Sequence, residues 1–150
     1  MRTMGLDVGT KTVGVAVSDG LGLTAQAITT VRRTSLKADL AALTELAREH
    51  EVSRVVVGLP LNMDGSEGPR AEASRKFAEA VGQALGVPVE FWDERLSTVA
   101  AERTLLEADH TRARRRQVID QVAAQFILQG WLDARQSAAD VHADDFDPEP

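Results

Sequence analysis

The chain has 150 residues, enough for one compact domain and too few for two ordinary ones, and its 43% hydrophobic and 27% charged residues make a globular balance. No apolar run approaches the roughly 18 residues of a membrane span, no basic and apolar leader opens the chain, and cysteine is absent, so a cytoplasmic protein with no membrane partner is expected. The net charge of -6 does not exclude a polyanionic partner, because five acids and no Lys or Arg fall in the last fourteen residues, leaving 17 basic against 18 acidic residues before them.

Residues 3–8 and 12–18 read as two strands joined by a Gly-Thr-Lys turn, since Val13, Val15 and Val17 alternate with Gly14, Ala16 and Ser18. A third strand is expected within 23–31. Ser35 then caps a helix with Leu36, Leu40, Leu43 and Ala47 on one face, ending near His50. The run 53–61, "SRVVVGLPL", is apolar on both faces, as a central parallel strand covered by helices should be. "NMDGSEGP" is loop chemistry, and Pro69 opens a helix carrying Phe77 and Ala80. "VPVEFW", 87–92, is the next strand and runs into "DERLST", where Ser97 caps a third helix holding Ala101 and Leu105. A last helix is expected from about Arg115 to Arg135. The order predicts an α/β three-layer sandwich with a mixed five-stranded sheet in a domain of residues 1–136, followed by an acidic tail, 137–150, expected to be disordered.

Four acids sit where solvated acids are not expected. Asp7 interrupts an apolar strand, and the small Gly14, Ala16 and Ser18 leave room beside it. Asp93 and Glu94 stand at the carboxyl end of an apolar strand, where ligands of open α/β sheets collect. Consecutive strand residues point to opposite faces, so one of this pair aims at a site and the other orders the turn. Asp120 shares a helical stripe with Ala123, Ala124, Ile127 and Trp131, a face that is otherwise core; pairing with Arg116 one turn earlier is the structural alternative. Carboxylates gathered at about 4 Å and an effective dielectric near 20 repel by roughly 4 kcal/mol per pair, and divalent cations offset this. An all-oxygen set suits Mg²⁺ or Mn²⁺, and His50, His110 and His142 show no zinc-ligand spacing.

Together, "GLDVGTKTVGVAVSD", "VVVGLPLNMDGSEG", "DERLST" and "VIDQVAAQFILQGWL" closely resemble the YqgF (RuvX) family of RNase H-like nucleases, from about residue 3 to 133. The resemblance implies a cytoplasmic hydrolase that trims the 5′ end of precursor small-subunit (pre-16S) ribosomal RNA, or a Holliday junction resolvase acting in DNA recombination and repair. It carries the metal ligands onto Asp7, Glu94 and Asp120, with Asp93 the weaker candidate. Gln121 and the Gly130-Trp131 pair depart from the family's last motif. The expected mechanism is two-metal phosphodiester hydrolysis, with Asp7 bridging two Mg²⁺ or Mn²⁺ ions about 4 Å apart and Glu94 and Asp120 each completing one coordination sphere.

Thr10 and Lys11, Asn62, Arg95 and Thr98 are candidate phosphate contacts, and Arg114, Arg115 and Arg116 would lay positive charge along a nucleic-acid backbone. With no Tyr, two Trp and four Phe, an aromatic stacking platform is not expected. A junction enzyme would need two sites and hence a homodimer. The rival readings are an actin-like ATPase, which "DVGTKT" also resembles but which needs two such domains, and a non-catalytic RNase H-like binding module, which would have lost the acids.

Overall fold

The computed structural model describes residues 2–96 and 112–145, with side chains in the last helix described over 121–138. Five strands form a single sheet: β1 (Arg2–Val8), β2 (Thr12–Ser18), β3 (Ala25–Arg32), β4 (Val52–Leu59) and β5 (Val89–Asp93). Their spatial order is β3-β2-β1-β4-β5. The first three are antiparallel neighbours, and β4 pairs parallel with both β1 and β5. This is the expected mixed sheet. A hairpin joins β1 to β2 because only a three-residue turn separates them, whereas β4 and β5 are reached through helical crossovers, as parallel pairing requires.

Helix α1 (Leu36–Glu49) begins where expected, with the Ser35 hydroxyl accepting the Ala38 N–H at 3.1 Å, a cap worth about 1 kcal/mol. Helix α2 (Pro69–Leu85) has proline in its first turn and ends on Gly86 at φ 67°, a left-handed cap that favours glycine. Strand β5 starts two residues later than expected because Pro88 has no N–H to donate; its carbonyl instead accepts from Val55 N. Helix α3 (Arg112–Asp145) is longer than the expected 115–135. No glycine or proline interrupts the chain between Trp131 and Pro148, and Ala138, Ala139 and Ala143 are strong helix formers, so nothing local stops the helix near residue 136. The helix expected after Ser97 lies outside the described residues.

The alternation of each strand divides the core in two. Met4, Leu6, Val13, Val15, Val55 and Val57 pack with Leu43 of α1 and Phe77 of α2 on one face. On the other, Ala16, Val56, Ile127, Leu128 and Trp131 form a second cluster beneath α3. Helix α3 lies close because β1 and β4 present glycines to it: a Cβ on Gly5 would stand 2.7 Å from Leu128 Cβ, and one on Gly58 would stand 2.5 Å from Ile127 Cδ1. Gly130 does the reverse, leaving space in α3 for the Trp92 ring, 3.0 Å from where its Cβ would stand. The Gly130-Trp131 pair therefore fits this sheet. Trp131 lies under the Arg54 guanidinium near the start of β4, and Ile127 lies at Gly58 near its end. Helix α3 thus crosses the sheet over β3, β2, β1 and β4, with its N-terminal end toward the carboxyl ends of β1 and β4.

Candidate active site

Asp7 is the second-last residue of β1 and is buried, with 6% of its surface exposed. It lies in the row of Gly5, on the face covered by α3. Its cross-strand partner on β2 is Gly14. On the other side the β1–β4 register pairs Leu6 with Val57, so the next residues along are Asp7 and Gly58. The carboxylate therefore stands in a slot with a glycine on each neighbouring strand. Gly58 is also where Glu94 arrives: Glu94 Oε1 lies 2.9 Å from the place a Gly58 Cβ would occupy. Adjacent strands are about 4.8 Å apart, so the backbone of Asp7 and the carboxylate of Glu94 flank one glycine.

Strand parity decides between the neighbouring acids. Gly58 pairs with Trp92 of β5, and Trp92 faces α3, so alternation turns Asp93 away from that face, while Glu94, first residue of the 3-10 turn after β5, brings Oε1 back onto it at Gly58. Asp93 falls in the other row, with Phe91, whose ring is covered by the Arg75 guanidinium of α2. It is engaged there by Arg95: Arg95 Nη2 donates to Asp93 Oδ2 at 2.7 Å, and the Arg95 backbone N–H donates to Oδ1 at 2.9 Å. The Arg95 side-chain hydrogen bond is the main cause holding the Asp93 carboxyl below its ordinary value of 3.8, against a smaller upward push from burial.

Asp120 lies in α3, seven residues before Ile127, so its backbone is about 10 Å nearer the helix N-terminus. Its side chain lies outside the described residues, as do those of Arg114, Arg115 and Arg116 and the whole of Thr98. Among the described residues no three His, Cys, Asp or Glu side chains gather at a metal-sized site; Glu94 reaches Gly58, the β4 residue beside Asp7 in the sheet.

Of the candidate phosphate contacts, Thr10 and Lys11 are exposed in the turn that follows Asp7. That turn is tight: Gly9 N donates to Thr12 O at 2.9 Å, and a Cβ on Gly9 would stand 2.9 Å from the same oxygen. Asn62 is turned inward on its own loop, with Nδ2 donating to Ser66 Oγ at 3.0 Å. Arg95 is committed to Asp93 and, through Nη1, to the Met63 carbonyl at 3.2 Å. The structure makes it a strut between the turn bearing Glu94 and the loop after β4.

Two residues that sequence reasoning missed hold the turn after Asp7. Arg33 Nη1 donates to the Gly9 carbonyl at 2.8 Å, its guanidinium lies over the Phe77 ring at 4.8 Å, and its Nε is 3.6 Å from the carboxylate of Asp39, which is 3% exposed. Asp39 also accepts from Thr34 N at 3.0 Å. A signal for Asp39 was present. It stands three residues after Leu36 and four before Leu43, on the apolar stripe of α1, by the same periodicity that singled out Asp120. Arg33 follows directly on β3 and is tied into this turn by all three contacts.

Among the described residues, the acids placed on either side of Gly58 are Asp7 and Glu94, both carboxylate oxygen donors, in a slot flanked by glycines. That set fits a hard divalent cation and offers no soft ligand.

A family model described as "RuvX: Holliday junction resolvase" matches residues 1–134. A protein of Myxococcus xanthus (strain DK1622) is 80% identical over 151 residues, covering all of both chains, and bears the name "Putative pre-16S rRNA nuclease". One from Moorella thermoacetica, with the same name, is 67% identical over 89% of this chain and 95% of its own. Among solved structures, T. thermophilus RuvC in complex with a Holliday junction substrate superposes with a TM-score of 0.56 at 18% identity, over 91% of this chain and 96% of that one. That likeness identifies the fold as RNase H-like. By the match along nearly its whole length and the identity with these relatives, the chain belongs to the RuvX family.

Proposed function

We propose that this protein is a divalent-metal-dependent nuclease of the cytoplasm that hydrolyses phosphodiester bonds in nucleic acid, with the 5′ end of precursor small-subunit ribosomal RNA as its substrate. The observation that carries the reading is that Glu94, just past β5, reaches over Gly58, the β4 residue beside the buried Asp7 of β1, on the face beneath α3. Relatives 80% and 67% identical bear the name of a pre-16S rRNA nuclease, which supports the choice of substrate. Asp7, Glu94 and Asp120 would hold Mg²⁺ or Mn²⁺. When bound, such ions activate a water and stabilise the leaving oxygen, so no histidine base is needed.

The chain's own residues supply position and charge. The glycine slot lets Asp7 sit deep enough to be shielded from bulk water, where an oxygen ligand attracts a cation more strongly. The turn fixed by Arg33 presents Thr10 and Lys11 one step beyond Asp7, where a hydroxyl and an ammonium can take the non-bridging oxygens of a phosphate. Asp93 acts through Arg95 to hold the turn bearing Glu94, and is not a ligand in this reading. Arg114, Arg115 and Arg116 open the helix that bears Asp120 and would track the flanking backbone.

Junction cleavage is the second reading, favoured by the description of the matching family model, and it would need a symmetric dimer. One assay separates the two: wild type and Asp7→Asn with Mn²⁺ on precursor-like single-stranded RNA, single-stranded DNA and a synthetic four-way junction. Wild type is expected to cleave the RNA, while Asp7→Asn is inactive with an unchanged unfolding temperature. Undiminished cleavage by Asp7→Asn rejects the proposal, and cleavage confined to the junction replaces the RNA reading with the second.

A further inference from the structure

The loop between β4 and α2 presents its apolar side chain to solvent from a backbone that is tied down. Asn62 N donates to Ser66 O at 2.9 Å and Gly65 N to Asn62 O at 2.9 Å, with Gly65 at φ 88°. Ser66 donates to Asp64 Oδ1 through both N, at 2.9 Å, and Oγ, at 2.6 Å. Arg95 then fastens the Met63 carbonyl to the residue that follows Glu94. Met63 itself is 94% exposed, and Leu96, two residues after Glu94, is 69% exposed. A floppy loop shows apolar residues by accident of composition. This one holds a methionine in water beside an acidic site, with five hydrogen bonds fixing the residues around it.

The charge around Met63 narrows what it can meet. Its neighbour Asp64 accepts both Ser66 hydrogen bonds, which hold its carboxyl below the ordinary 3.8 and keep it ionised at neutral pH. Glu67 adds a second acid, paired with Arg75. The cations at this rim are engaged by acids, Arg95 by Asp93 and Arg75 by Glu67, so it carries no excess of positive charge such as Lys11 and the 112–116 arginines offer a phosphate elsewhere. An uncharged, polarisable face suits a thioether there, and in a nucleic acid that face is a base.

We propose that Met63, whose carbonyl Arg95 holds, contacts the face of an unpaired base next to the phosphodiester held at Asp7 and Glu94, making this rim a determinant of preference for single-stranded substrate. The proposal rests on the nuclease reading of that site. In a duplex the base faces are stacked and closed to a side chain, so only an unpaired or splayed nucleotide can offer one. The backbone binds through the Thr10–Lys11 side and the base through the Met63 side, and the scissile bond lies between them. Thioether contact would then serve where the composition leads one to expect no aromatic platform.

The test reads binding by fluorescence anisotropy in an Asp7→Asn background, so that the oligonucleotide stays intact. The probes are a single-stranded RNA, the same sequence as a duplex, and an abasic backbone of equal length. Met63→Ala is expected to weaken binding of the single strand about tenfold, Met63→Leu to restore most of it, and Met63→Gln to behave as the alanine variant. The abasic and duplex probes should bind equally well whether or not the Met63→Ala substitution is present. Unchanged single-strand affinity overturns the proposal, as does an equal loss on the abasic probe, which would mean a backbone contact. A concentration-dependent dimer that Met63→Ala abolishes, with RNA affinity untouched, would show that a second copy covers the rim and also overturns it. Cleavage by the otherwise wild-type protein is measured separately, so failure of the nuclease reading and failure of the Met63 contact give different results.

Discussion

Replacing Gly58 by alanine tests the convergence at its narrowest point. The new methyl would stand 2.5 Å from Ile127 Cδ1 and 2.9 Å from Glu94 Oε1, where non-bonded carbon contacts settle at roughly 3.5–4.0 Å. Both opposing atoms are the far ends of flexible side chains. They can retreat by about an ångström without moving backbone, and overpacking of that kind costs about 1 kcal/mol, the lower end of its range. An unfolding temperature lower by about 4 °C is expected. Metal binding should suffer more, because carboxylate coordination tolerates only about 0.2 Å and Glu94 Oε1 must give way by several times that. We expect Mn²⁺ affinity, measured by calorimetry, to fall at least about tenfold. Gly82→Ala is the control. Its Cβ would meet Val89 Cγ2 at 2.9 Å, a comparable clash in the other core, and the gain in helix propensity offsets about 1 kcal/mol of it. It should leave Mn²⁺ affinity as in wild type. Wild-type Mn²⁺ binding by Gly58→Ala would refute the placement of Glu94 at the metal, and so would equal losses in both variants.

Arg33→Ala removes the guanidinium from Asp39, from the Gly9 carbonyl and from Phe77 together. Breaking a fully buried pair costs about 3–5 kcal/mol, but Arg33 is 29% exposed, so the loss in denaturant unfolding should be nearer 2 kcal/mol. Arg33→Lys should recover less than half of it, since one ammonium cannot fork to a carbonyl and a carboxylate while stacking on a ring, and full recovery by lysine would contradict the role given to the guanidinium. Asp93, whose carboxyl is held below 3.8 chiefly by its Arg95 hydrogen bond, contributes stability that is complete above that value and is lost as pH falls through the lower folded value. The stability difference between wild type and Asp93→Asn should therefore stay constant from about pH 7 to about pH 5 and vanish only below 3.8; a difference that disappears between pH 5 and pH 7 would rule out the Arg95 pairing as its source.

Much of this molecule is written in local pattern. Alternation marked β1 and β2, the doubly apolar run marked β4 as central, and Ser35 and Pro69 marked the starts of two helices, because side-chain period and cap chemistry act within a few residues. Asp7 stood out for the same reason, as a charge inside an apolar strand. What local pattern left open was which acids meet. Glu94 rather than Asp93 reaches Gly58 beside Asp7 because the β4–β5 register turns Asp93 off the α3 face and the 3-10 turn after β5 returns Glu94 to it, and residues some 35 to 50 positions apart must pair before that arrangement exists. The glycine slot around Asp7 has the same origin, since Gly14 and Gly58 are neighbours of Asp7 only once the sheet has formed. Competition for arginine is likewise a tertiary matter. Arg95 read as a phosphate contact and Arg33 carried no local signal, and the fold gives both to buried or half-buried acids and backbone carbonyls that lie far off in the chain or around a turn. Periodicity and capping declare the elements; register and long-range pairing decide which side chains share a site.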